Sequence, residues 1–502
     1  MASRKVIIIG GGVAGLSLGC YLRMNCYETE VLEQSAAAGG VCAAWTRKGY
    51  TFDGATEWLP GSAPPLNLHD ILAEIVDFSR LEIAPFPQFT RVERGGKVLR
   101  AFTDVKRLES ELLDIAPEDA GPIHEFTDAI SQVSSLVLPV QRAPELTGIL
   151  DHLRSARTLV PLLLFIRKWR GTTISQFAQR LENPDLRAML PLIFPRHDFF
   201  SVMGLIFALG WMNMGCAGHP VGGSRRFMEL VEGRYSALGG TLRLRSRVET
   251  IRTTMGAARG VVLEGGETLN ADIVVSAADA RSTLLGMLGG KHLSRRFRGL
   301  FASAVLFPGT IQVSLGLDRT FDGDAHKYLL HLDRPVGFGT DRDIPHVIVK
   351  LSNIDPTLAP EGKTAVVAHL RTRDDGHWLD LRADDRPRYR EEKERAAEAV
   401  IDLLESRFGG VREAIEVKDV ATPATYVRYT SNWRGSYQGW APIPSLIGRS
   451  LEKTVPGLGG FYMTGQWVEP GGGLPKVVIS ARNVAQIICH DDGLPFTASR
   501  AG

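Results

Sequence analysis

Two glycine-rich loops at opposite ends of the chain, with the acids beside them, have the residue types and spacing for cofactor chemistry. The first is Gly10-Gly11-Gly12-Val13-Ala14-Gly15, which fits G-x-G-x-x-G. It follows a β-branched run, Val6 to Ile9, and opens an apolar stretch of helical period; a second short run, Thr29 to Leu32, ends at Glu33. In this context Gly10 makes the tight turn, Gly12 lets a pyrophosphate approach the backbone, and Gly15 lets the helix pack on the strand. Val13 and Ala14 open the helix, whose free N–H groups and positive dipole end suit a phosphate. Glu33, about 20 residues on, is placed to accept hydrogen bonds from an adenosine ribose. The pattern names a dinucleotide site and leaves NAD and FAD both open.

The second loop separates them. Phe461–Thr464 reads as a strand, followed by Gly465, Gln466, Pro470-Gly471-Gly472-Gly473 and a helix expected from Leu474 to Ile488. A second helix N-terminus aimed at the cofactor suits a flavin, whose reduced N1–C2=O region carries negative charge. NAD does not require it, so the two loops together select FAD. Gly39-Gly40-Val41, just past Glu33, would bring the chain back to the pyrophosphate, a plain loop being the alternative. Val248, in a strand expected over 247–253, is assigned to the same site.

Acid–base groups are sparse. Glu57 and Glu469 are the candidates, provided burial raises their pKa; each could instead be a structural carboxylate. Trp433, Tyr437 and Trp440, near Tyr426 and Tyr429, would line a flavin face or stack a polyene, or form a strand core. His197, between Arg196 and Asp198, reads as a local polar cluster. No metal-ligand spacing and no Ser-His-Asp constellation is present.

These residues must be positioned by a large scaffold. At 502 residues the chain exceeds a single hydrophobic core. Hydrophobic content of 44%, charged content of 23% and a net charge of +2 exclude a strong general attraction to nucleic acid. Five cysteines without paired spacing, and an N-terminus without an apolar signal region, point to a cytoplasmic protein with reduced thiols.

Two apolar segments need placing. Residues 199–224 carry no Lys, Arg, Asp or Glu, yet contain Gly204, Gly210, Asn213 and Pro220. This favours a buried helix around Met203 to Met214 over a membrane span. In 153–170 an apolar centre is flanked by Arg154, Arg157, Arg167, Lys168 and Arg170, with Trp169 at the boundary. Peripheral membrane contact through this segment and a buried helix with solvated ends both fit.

The remaining periodicity predicts helices over 66–75, 123–137, 174–194, 227–238 and 389–408, and strands over 89–94, 241–244, 258–263, 273–276, 310–315, 328–332, 346–352 and 364–370. The fold class is α/β with α+β insertions. A Rossmann-like FAD-binding domain (1–65, 221–295 and 441–502) is split by a helical subdomain (66–220) and a substrate-binding sheet and helix (296–440).

With these motifs in order, the chain resembles the phytoene desaturase and carotenoid isomerase branch of the flavin amine oxidase-like superfamily. The resemblance rests on GGGVAGL, Gly39-Gly40, GYTFDGA from Gly49 to Ala55, and the GGS of Gly222 to Ser224. It continues through SNIDPTLAPEGK (Ser352 to Lys363), ATPATYVRYTSNWRGSYQGW (Ala421 to Trp440) and TGQWVEPGGGLP. Val41 stands where the family often has arginine, and Gln466 where many relatives have an acid. The resemblance implies an FAD-dependent oxidoreductase that desaturates, saturates or isomerises a long polyene, isoprenoid or fatty-acyl-like substrate reached from a membrane surface. A flavin oxidase of amines or porphyrinogens is the alternative, and a non-enzymatic prenyl-binding protein of the same fold a more distant one.

Overall fold

The computed structural model describes residues 4–194, 199–323 and 325–502, with side chains omitted at 149–157 and 333. His197 and its neighbours Arg196 and Asp198 lie outside the described residues.

The fold is mixed α/β, built on a parallel sheet. Its parallel run has the order Ala257–Leu263, Leu458–Met463, Ile273–Ser276, Lys5–Ile9, Glu28–Leu32, Thr241–Arg243. Three separate stretches of the chain therefore supply one sheet. In the central strand Val6, Ile7 and Ile8 are fully buried, as expected where both faces are covered; burying each contributes about 1.5–3 kcal/mol. Val6 and Ile8 pack under the helices Val13–Met24, Gly223–Ala237 and Leu474–Asp491. Ile7 and Ile9 face the strands Val248–Thr254 and Ala257–Leu263.

A second, mostly antiparallel sheet has the order Ile415–Ala421, Gly309–Leu317, Thr364–Thr372, Asp341–Leu351, Lys327–Phe338, Gln88–Arg94, Lys97–Phe102. Its last two strands come from residues 66–220, grouped above with the helical subdomain; Gln88–Arg94, the strand expected over 89–94, joins by parallel pairing, with Arg91 opposite Tyr328. One face packs on the helices Asp375–Asp384 and Arg386–Phe408 through Val347, Val349, Val366, Ala368 and Leu370. Strand alternation turns the intervening residues the other way.

Over that other face lie the helices Val105–Ile115, Ala120–Gln132, Ile149–Trp169 and Val202–Asn213, sharing a core with Phe89, Leu329 and Ile348. The uncharged segment forms the buried helix expected of it, Val202–Asn213. Among the described residues no helix is long and apolar enough to cross a membrane. None of the five cysteines forms a disulfide; Cys20, Cys42, Cys216 and Cys489 are buried and Cys26 is exposed.

Candidate active site

The turn after the central strand is shaped by three glycines. A Cβ on Gly15 would lie 1.9 Å from the Gly10 carbonyl oxygen, so the helix can seat against the turn only with glycine there. Gly12 differs: the nearest protein atom to a Cβ would be 3.7 Å away, at the Gly39 carbonyl oxygen. A Cβ there would touch only the second glycine pair without a clash, and Gly12 itself lines a cavity. Gly12 opens the helix with no side-chain cap, so its first N–H groups face outward.

Glu33 is 5% exposed and its Oε2 accepts from the Gly11 N–H at 2.7 Å, its Oε1 from the Ser35 N–H at 2.8 Å. The second glycine pair returns beside the first loop, the Gly39 N–H donating to the Gly11 carbonyl at 3.0 Å.

The C-terminal loop meets this turn. A Cβ on Gly465 would lie 3.1 Å from the Ala14 Cβ, and the Gly465 N–H donates to Ser480 Oγ at 2.9 Å. Gly472 has a φ of +67°, and a Cβ there would lie 2.4 Å from Gln438 Oε1. Gly473 starts the final helix, again without a side-chain cap. Two uncapped helix N-termini, Gly12 and Gly473, thus border one cavity of about 1250 Å³, larger than the roughly 300–1,000 Å³ of a drug-sized pocket.

Gly10, Gly12, Val13, Ala14, Glu33, Gly39, Gly40, Val41 and Val248 line the cavity; so do Gly465, Gln466, Gly472, Gly473 and Leu474, while Gly15, in the first turn of the helix, faces the Gly10 turn instead. Further along, its wall is apolar, with Leu162, Ile166, Phe194, Met203, Phe207, Trp211 and Phe307.

Glu57 lines the cavity too, and its surroundings hold it tightly. Its Oε1 is 2.7 Å from Lys327 Nζ, with the lysine side chain buried and the glutamate half-buried. Burial by itself would push the carboxyl up, but Lys327 and Lys350 outweigh it and hold Glu57 below the usual carboxylate range. The raised pKa expected of Glu57 is therefore not met: the carboxyl is held ionised, able to accept a proton but not to donate one. The backbone carbonyl of Glu57 lies 3.1 Å from His219 Nδ1, and His219 Nε2 lies 2.9 Å from Asp355 Oδ2. Asp53 fixes the same loop to the helix Gly223–Ala237, accepting from the Ser224 and Ala55 N–H groups at 2.5 and 2.9 Å.

Glu469 is pinned elsewhere on the wall by Lys453 at 2.9 Å and by the Ser450 hydroxyl, which donates at 2.8 Å. Lys453 also pairs with Glu145 at 2.8 Å.

The aromatic group divides. Tyr437 lines the cavity. Trp440 is fully buried, edge-on to Trp467 at 5.1 Å and to Trp433 at 5.9 Å. The expectation that Trp433 and Trp440 line the pocket is corrected: both fill the core behind it, because Trp440 is bridged in antiparallel fashion to Leu306. Trp169 is corrected as well. It is 3% exposed and packs on Phe177, so it is not an interfacial residue.

Sequence reasoning missed the polar part of the sheet wall: Lys327, Lys350, His369 and Arg371 all reach the cavity. Alternation would flag such residues on a sheet with one wet face. The signal was there in part: His369 and Arg371 alternate with Ala368 and Leu370, and Lys350 with Val349 and Leu351. Lys476 was missed too; its Nζ donates to the Pro470 carbonyl at 2.6 Å within the glycine loop. Burial lowers its pKa, Glu469 opposing.

The family model for flavin containing amine oxidoreductases matches residues 13–489. The chain belongs to that family. The phytoene desaturase (lycopene-forming) of Paracoccus sp. is 24% identical, with 98% of each chain covered. Prolycopene isomerase 1 of an Oncidium hybrid is 25% identical, over 97% of this chain and 84% of the isomerase. Among solved structures, an oxidoreductase from Methanosarcina mazei has a TM-score of 0.61 and 19% identity, covering 96% of this chain and all of that one.

This family member is an FAD-dependent oxidoreductase. The residues present fit the cofactor. A cavity wall of bare glycine backbone at Gly12, Gly39 and Gly40, two uncapped helix N-termini and a buried ribose-type acid suit an adenosine diphosphate and a flavin ring together.

Proposed function

We propose that this oxidoreductase acts on a long apolar alkene or polyene, by desaturation, saturation or double-bond isomerisation. The observation that carries the reading is the continuity of the cavity. One wall runs from the glycine loops, past Glu57 and Tyr437, into a chamber lined by Leu162, Ile166, Phe194, Met203, Phe207 and Trp211. The similarity to a phytoene desaturase and a prolycopene isomerase over nearly the whole chain supports it.

When bound, FAD supplies the hydride chemistry. The protein's share is to align the chain, exclude water and move a proton. Gly12, Gly39-Gly40 and the loop from Gly465 to Leu474 are the cofactor-holding residues of this reading. Glu57, ionised beside Lys327, is its proton acceptor, and Tyr437 packs against the substrate. Glu469, tied to Lys453, holds the loop before the final helix rather than exchanging protons.

A membrane route supplies the substrate. On the helix Ile149–Trp169, Val160, Leu163 and Leu164 are exposed, at 47%, 59% and 61%. Leu162 and Ile166 of the same helix line the cavity. Exposed apolar residues continuing into Arg167 and Lys168 match an interfacial helix. The insertion carrying this helix is the membrane-facing subdomain of the split architecture, and the long helix Arg386–Phe408 backs the substrate sheet from outside.

The amine-oxidase reading predicts anionic anchors for a cationic substrate. The sheet wall instead presents lysines and an arginine, which disfavours it. The test is to mix the FAD-loaded protein anaerobically with a polyene hydrocarbon, an unsaturated fatty acid and a primary amine. Conversion of either alkene supports the proposal; conversion of the amine alone overturns it.

A further inference from the structure

Three adjacent strands of the second sheet turn cationic side chains into the chamber. Lys327, Lys350 and Arg371 all line it. Lys327 stands directly opposite Lys350 in the register of their strands, a pairing of like charges that weakens a sheet.

Only part of this charge is balanced. Lys327 pairs with Glu57 at 2.7 Å, and its Nζ sits 3.8 Å over the Phe89 ring. Lys350 has no hydrogen bond or ion pair among the described residues. Arg371 lies 4.6 Å over the Tyr437 ring, and its buried Nε–H has no acceptor among the described residues. Three cations thus face one paired carboxylate, beside apolar residues such as Ile348 and Phe307. Burying charge without a partner is unfavourable. A wall built this way is complete only when something negative enters.

We propose that the substrate of this site, on the alkene reading above, ends in an anionic oxygen group, a carboxylate or a phosphate, held by Lys350 and Arg371. The planar guanidinium can grip two oxygens at once and the ammonium can add a third contact. The apolar chain then extends along Phe89 and Ile348 toward Phe207. The head fixes the register of the chain, and so decides which double bond meets the cofactor.

The test uses the FAD-loaded protein, with quenching of intrinsic tryptophan fluorescence as the readout, since Trp211 lines the chamber. The probes are arachidonic acid, its methyl ester, geranylgeranyl monophosphate and squalene. The acid or the monophosphate is expected to bind about tenfold or more tightly than the neutral probes. Whichever is tighter names the head group.

Lys350→Met and Arg371→Met are expected to remove that advantage, leaving ester binding and FAD content unchanged. Arg371→Lys is expected to retain part of it. Equal affinity for acid and ester would overturn the inference while leaving the alkene reading standing. Loss of FAD from both methionine variants would also overturn it, assigning the cations to the cofactor. If no apolar probe binds although FAD is retained, the alkene reading itself fails, and the inference with it.

Discussion

Gly12 and Gly15, three positions apart, are glycine for opposite reasons. Gly12 has protein atoms no nearer than 3.7 Å to a Cβ, whereas at Gly15 a Cβ would sit 1.9 Å from a carbonyl oxygen. Gly12→Val is therefore expected to fold with an unchanged denaturation midpoint and to lose nearly all bound FAD, measured as flavin per protein after gel filtration. Gly15→Val is expected to destabilise the fold itself by about 1–3 kcal/mol or more.

At the same scale, His326 makes the protein acid-sensitive. Burial pushes its pKa from 6.5 down to about 4, and neither ring nitrogen has a hydrogen-bond partner among the described residues. Between those values the unfolded chain holds a proton that the folded chain refuses, so stability falls as pH drops through that window. The full shift corresponds to about 3 kcal/mol. Glu57 acts in the same direction. Its depressed pKa contributes stability above the ordinary value of 4.5, lost as pH falls through the folded value. His326→Leu is expected to flatten the loss between pH 6.5 and 4, read from urea denaturation across that range.

The glycines were legible in the sequence because their spacing is local. The pairing of Glu57 with Lys327 was not, since only the tertiary fold brings those two stretches together.

At the scale of the element, the helix Ile149–Trp169 shows what an all-round apolar run hides. The sequence carried its flanking cations but not its orientation. In the fold Phe165 and Trp169, one turn apart, are buried together, while Leu163 and Leu164 face out. Lys168 is also less free than its position suggests, pairing with Glu125 at 3.0 Å. The double variant Leu163→Glu/Leu164→Glu is expected to lower flotation with anionic liposomes about tenfold or more, since each leucine is worth about 1.5–3 kcal/mol on burial. Activity on detergent-dispersed substrate is expected to persist. Unchanged flotation would argue against membrane docking through this helix. The aromatic cluster carried a similar ambiguity: composition flagged Trp433, Tyr437 and Trp440 together, and only strand and loop geometry sent Tyr437 to the cavity and the tryptophans to the core.

At the scale of the molecule, the cofactor site joins residues from both ends of the chain, with Gly465 packed against Ala14. The strand–glycine–helix pattern was readable at each end, and so was the resumption of the parallel sheet at Ile273–Ser276. The antiparallel sheet was only partly readable. Its strands Gln88–Arg94 and Lys97–Phe102 form a local hairpin, but Gln88–Arg94 joins the sheet beside Lys327–Phe338, far along the chain, and no local pattern encodes such a partner.

A ligand that holds both ends of the chain in the folded state should stabilise it. Free FAD at a thousandfold its Kd is expected to add about 4 kcal/mol over the apoprotein, seen as a rise in the thermal midpoint on reconstitution.

The central claim is that flavin chemistry here acts on an apolar alkene. The most direct measurement is anaerobic mixing of the FAD-loaded protein, oxidised and then reduced, with unsaturated chains, followed by extraction and mass and isomer analysis. The expected result is a chain that has lost or gained a hydrogen pair, or changed double-bond geometry, in proportion to enzyme. Unaltered alkenes, with the flavin bleached instead by a primary amine, would contradict it.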